Sequence, residues 1–99
     1  MNRILWTDAA KRHLKQIRAY IAKDSPENAT RFIKKIRKSV AGMQRFPEAG
    51  SKVPDARSFH LREIFVGNYR VVYRVVDRNI EIVSVTHGAR ILPDSLGQS

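Results

Sequence analysis

The sequence predicts an α+β fold in the order β-α-α-β-β-β: a helical hairpin packed on one face of a mostly antiparallel sheet. Three observations lead there. Two stretches between residues 8 and 45 repeat apolar residues at helical spacing. Three runs between residues 59 and 87 are rich in Val, Ile, Tyr and Phe, with short polar turns between them. A brief apolar run from Arg3 to Trp6 precedes them and reads as a first strand.

After that strand, Thr7 or Asp8 offers a helix N-cap. Ala10, Leu14, Ile17 and Ile21 then recur on one helical face, while Lys11, Arg12, Lys15 and Arg18 fall mainly on the rest. The pattern breaks at Lys23-Asp24-Ser25-Pro26. Ser25 suits an N-cap, and Pro26 suits the first turn, where its missing N–H breaks no bond. Glu27 adds negative charge at the positive end of the helix dipole. The second helix carries Ala29, Phe32, Ile33, Ile36, Val40 and Met43 on one face, and Arg31, Lys34, Lys35, Arg37 and Lys38 elsewhere. It should end near Arg45, because Pro47 follows.

From Phe46 to Ser58 the chain reads as loop, with Pro47, Gly50, Ser51, Pro54 and Asp55 close together. Strands follow at Phe59–Val66, Tyr69–Val76 and Ile80–His87, a meander of hairpins turning at Gly67-Asn68 and around Asp77-Arg78-Asn79. The tail from Gly88 is short and polar towards its end.

Two-residue loops at Gly67-Asn68 and Arg78-Asn79 would set Glu63 opposite Val72, Arg70 opposite His87 and Arg74 opposite Val83. Alternation then puts Glu63, Arg70, Arg74 and His87 on one open face, over Val72 and Val85. Tyr69, Val71, Tyr73, Val75, Ile80 and Ile82 take the other, more apolar face and should receive the helices. Arg62 falls on the helix side in this scheme. A bulge or a three-residue turn would move the register and exchange faces. The open set has the chemistry of an anion groove: arginines to hold phosphate, His87 or Glu63 to move a proton. The arginines also suit a plain structural role, as cross-strand partners of Glu63 and Glu81, with His87 simply ending a strand.

Length and composition limit the remaining classes. A chain of 99 residues fits one domain. The absence of cysteine excludes disulfides, thiolate metal sites and a cysteine nucleophile, and fits a reducing cytoplasm. No stretch is apolar enough for a signal peptide or a membrane span, so a cytoplasmic protein without membrane contact is expected. No glycine-rich phosphate loop, nucleophile elbow or metal-ligand spacing occurs, so neither metal nor cofactor is implied. With 19 Lys+Arg against 9 Asp+Glu, the formal charge is +10, which attracts RNA, DNA or an acidic polypeptide.

A set of motifs runs through the chain in order: Trp6 before the first helix, Tyr20-Ile21 near its end, and Ser25-Pro26 with Ala29 and Phe32 in the second. It continues through Phe46-Pro47 with Gly50, Leu61-Arg62-Glu63, Gly67-Asn68-Tyr69-Arg70-Val71-Val72-Tyr73-Arg74, and Val85-Thr86-His87-Gly88-Ala89-Arg90. With these motifs the chain resembles the RelE/ParE superfamily of type II toxins, and is closer to the ParE branch. The resemblance implies the toxin of a toxin–antitoxin, or plasmid-stabilisation, system, silenced by an acidic, partly disordered cognate antitoxin that also carries the pair to operator DNA. ParE-like members inhibit DNA gyrase without being enzymes, whereas RelE-like members cut mRNA on the ribosome. For a nuclease, His87, Arg90 and Arg70 become the candidate catalytic residues, with Arg62 and Arg74 as further phosphate-binding candidates. For a binding toxin, Arg62, Glu63, Arg70, Arg74, His87 and Arg90 become candidates for antitoxin or target contact. The C-terminal tyrosine that several such nucleases use is missing, since no tyrosine follows Tyr73. A third reading keeps the fold alone, as a non-toxic basic binding module.

Overall fold

The structure, a computed structural model, describes residues 3–53 and 60–88. Its elements are β1 (Ile4–Trp6), α1 (Asp8–Ala22), α2 (Pro26–Gly42), β2 (Ser51–Lys52), β3 (Leu61–Val66), β4 (Tyr69–Val76) and β5 (Asn79–His87). The sheet order is β1-β5-β4-β3-β2. β1 runs parallel to β5, and the other pairs are antiparallel. The helical hairpin and the three-strand meander agree with the α+β reading. β2 is an addition: two residues of the presumed loop pair with Arg62 and Glu63.

Local chemistry starts both helices where their caps stand. Thr7 Oγ1 accepts from the Ala10 N–H at 3.1 Å, and Ser25 Oγ accepts from the Asn28 N–H at 3.2 Å. Each satisfies one donor that the first helical turn leaves open. Thr7 also donates its hydroxyl to the Ile82 carbonyl at 2.8 Å, so the cap fastens α1 to β5. Where β1 stops, α1 continues the cover of that strand: His13 Nδ1 accepts from the Val85 N–H at 3.1 Å.

The main core lies between the hairpin and the sheet. Ala10, Leu14 and Ile17 of α1 and Ile33, Ile36 and Val40 of α2 close over Val66, Val71, Tyr73, Ile80, Ile82 and Val85. Ile36, Tyr73, Ile80 and Ile82 are fully buried. A second apolar cluster of Val53, Leu61, Val72 and Val83 stands apart from it.

Both hairpins turn in two residues, but the second does not turn where the sequence suggested. Val76 pairs with Asn79, so the loop is Asp77-Arg78 rather than Arg78-Asn79. Asn79 is taken up by the edge strand, since its Oδ1 accepts from the Arg3 N–H at 3.2 Å. A β-bulge between Val72 and Tyr73 then shifts the ladder again. Arg74 therefore faces Glu81, Arg70 faces Thr86, and His87 faces Tyr69. The expected pairs Arg70–His87 and Arg74–Val83 do not form, whereas Glu63 and Val72 are paired as expected. The extra residue in β5 carries His87 to the helix side of the sheet.

Candidate functional site

On the side of the sheet away from the helices, β3 and β4 bring Glu63, Phe65, Arg70 and Arg74 together, because partners Glu63–Val72 and Phe65–Arg70 alternate in phase. Arg70 Nε lies 2.7 Å from Glu63 Oε2, and the two side chains are only 8% and 9% exposed. The Arg70 guanidinium also stands 5.9 Å from the centre of the Phe65 ring. This part of the face is buried, not open as the sequence suggested, since Leu61, Val72 and Ser84 beside the pair are buried too. Next along the strand, Arg74 directs Nε and Nη2 at Glu81 Oε1, the former at 2.8 Å.

The other expected site residues lie elsewhere. Arg62 is on the helix side, as alternation required, and its Nη1 donates to the carbonyls of Glu48 at 3.0 Å and Gly50 at 2.8 Å. It pins the loop after α2 to β3. His87 packs edge-on against Tyr69 with ring centres 5.8 Å apart, and Tyr69 in turn meets Phe32 at 5.5 Å. Arg90 lies outside the described residues. The sheet thus brings Glu63, Arg70 and Arg74 onto one face, while Arg62 and His87 lie on the other.

The loop that Arg62 holds has its own buried anchor. The Gly50 N–H donates to the Tyr73 hydroxyl at 2.9 Å, and a Cβ at Gly50 would fall 2.5 Å from that oxygen and 2.8 Å from the Glu63 carbonyl. Desolvation of Tyr73 raises its pKa above 10.0, and the Gly50 N–H and Arg62 oppose that rise. Among the described residues no group of three His, Asp or Glu could hold a metal ion.

Two surface features escaped the sequence reading. A groove of about 390 Å³ has Trp6, Leu14 and Ile33 as its floor and Lys11, Lys15, Arg18 and Arg37 as its rim. The Arg37 guanidinium sits 5.4 Å from the centre of the Trp6 ring. A second pocket, of about 620 Å³, lies where the loop after α2 meets the β4–β5 turn. The basic helix faces signalled the first, but the tertiary position of Trp6 was needed to locate it.

The chain matches the family model described as ParE toxin of type II toxin-antitoxin system, parDE, over residues 4–92. A candidate toxin of Sinorhizobium fredii, Y4kP, is 34% identical over 96 residues, which is 95% of this chain and 96% of that protein. The chain belongs to the ParE toxin family.

Solved structures share the fold of this ParE-family chain. The chromosomal ParDE system of P. aeruginosa superimposes with a TM-score of 0.72 at 23% identity, covering 88% of this chain and 96% of that one. The RelBE2 toxin–antitoxin complex of Mycobacterium tuberculosis gives 0.61 at 20% identity, covering 87% and 96%. The YoeB dimer of Staphylococcus aureus gives 0.63 at 20%, covering 87% and 95%. At these identities the likeness concerns the fold. No helix among the described residues is long and apolar enough to cross a membrane.

Proposed function

We propose that this ParE-family chain acts as a type II toxin by binding and inhibiting DNA gyrase, and is not a nuclease. The observation that carries this reading is the state of the three candidate arginines among the described residues. Arg62 is bonded to two loop carbonyls, Arg70 is buried against Glu63, and Arg74 faces Glu81. A phosphate clamp needs guanidiniums preorganised toward the phosphate, with an acid or base in reach. Here His87 is on the opposite face from Arg70 and Arg74, and the other proton-transfer candidate, Glu63, is buried against Arg70 with both side chains less than a tenth exposed. A toxin that works by surface contact requires no such constellation.

A cognate antitoxin silences the protein in this reading. Its acidic segment would order in the Trp6 groove, where apolar floor and basic rim suit an amphipathic, negatively charged chain. The pair would reach operator DNA through the antitoxin. Inducing the toxin in cells and following macromolecular synthesis tests the target. The expected result is induction of the DNA-damage response while translation continues. An early stop in translation with cleaved mRNA would sink the gyrase reading and favour ribosome-dependent cleavage.

A further inference from the structure

The pocket beyond the C-terminal end of α2 combines two unusual features. Its walls include Phe46, Pro47 and Val75, with Arg45 and Arg78 among its lining. Phe46 is 69% exposed, and the adjoining Val76 is 44% exposed. Clustered apolar surface of this kind, flanked by arginines, has the make-up of a protein-binding hot spot.

The turn beside it is strained. Asp77 has φ 50° and Arg78 has φ 68°. Two-residue hairpin loops with both φ positive favour glycine at the second position, where a side chain crowds the backbone. A glycine would make this turn more easily, yet an arginine stands there, beside the pocket. Strain retained at a surface turn points to a role for the side chain itself.

The chemistry of the pocket selects its occupant. An apolar wall takes an aromatic or long aliphatic side chain, and two guanidiniums on a chain of net charge +10 favour carboxylates around it. Glu48 also lines the pocket and opposes any anion close to it, so it is the apolar walls of Phe46, Pro47 and Val75 that suit a protein side chain rather than a phosphate backbone. We propose that this pocket is the toxin's grip on its target: it receives an apolar side chain from an acidic protein surface, with Arg45 and Arg78 pairing to flanking carboxylates. The inference rests on the reading of this chain as a toxin that acts by binding a protein. It places target contact apart from the Trp6 groove, which shares no lining residue with it.

The test compares wild type with Arg78→Gly and Phe46→Ala by thermal unfolding, growth arrest on induction, inhibition of purified gyrase, and binding to a single-stranded RNA. Arg78→Gly should unfold at the same or a higher temperature, because it relieves the turn, and yet be weaker as a toxin. Both variants should need on the order of tenfold more protein for the same growth arrest and gyrase inhibition. Variants that fold and arrest growth as potently as wild type overturn the pocket, while leaving gyrase as the target. Wild type that spares gyrase but arrests growth, with both variants impaired, supports the pocket and removes gyrase. Loss of single-stranded RNA binding as the variants' defect would overturn the protein partner. A wild type without any growth arrest overturns both readings.

Discussion

Replacing Arg70 by methionine should destabilise the protein far more than removing a surface charge. The change leaves the Glu63 carboxylate without its ion partner at a site where both side chains are less than a tenth exposed. Breaking a buried pair from one side costs roughly 3–5 kcal/mol, because the remaining charge is still desolvated. At about 4–8 °C of Tm per kcal/mol for a domain of this size, the lower figure lowers Tm by roughly 12–24 °C. Glu63→Leu should do similar damage from the other side. The double variant, Glu63→Leu with Arg70→Met, removes both charges and keeps apolar volume, so it should be more stable than either single variant. Urea unfolding of the four proteins at neutral pH measures the coupling. The growth arrest caused by the double variant should remain, since neither side chain is asked to touch the target. Independent effects that simply add would refute the buried-pair argument. A stable Arg70→Met that has lost toxicity would show that Arg70 serves function and not the fold.

Three further outcomes follow from the same geometry. Gly50→Ala places a methyl group against the Tyr73 hydroxyl and the Glu63 carbonyl, and should destabilise by about 1–3 kcal/mol in urea unfolding. Thr7→Ala removes the cap of α1 and the hydroxyl's bond to the Ile82 carbonyl, leaving the backbone N–H bond to that oxygen, and should cost about 1–2 kcal/mol, whereas Thr7→Ser should recover much of that. Burial raises the pKa of Tyr73, so its neutral form contributes full stability below the ordinary tyrosine value of about 10, and that contribution is lost as pH rises through the raised value. Alkaline unfolding followed by phenolate absorbance should show this loss in wild type, and Tyr73→Phe should remove it.

Much of the fold was legible locally. Thr7, Ser25 and Pro26 announce the two helix starts by side-chain chemistry alone, and the apolar spacing of Ala10, Leu14 and Ile17 fixes the face that α1 buries. Glu63 could be set opposite Val72 because Gly67, with φ 58°, turns the first hairpin where a glycine is expected. The second hairpin was not legible, because its register depends on a distant strand. Asn79 looks like a turn residue, but its side chain is held by the backbone of Arg3, so the turn moves to Asp77-Arg78. The bulge at Val72/Tyr73 then decides the face of His87, and no local pattern marks it. Alternation did place Glu63 and Arg70 on one face. Their burial beside Leu61 and Val72 is a property of tertiary packing, and it changes the meaning of the arginine from a free cation to one half of an ion pair.

A supercoiling assay with purified gyrase and purified toxin, run beside mRNA on translating ribosomes, separates gyrase inhibition from mRNA cleavage. Supercoiling should fall with increasing toxin while the mRNA stays intact. Unimpaired supercoiling together with toxin-dependent cuts in ribosome-bound mRNA would overturn gyrase as the target.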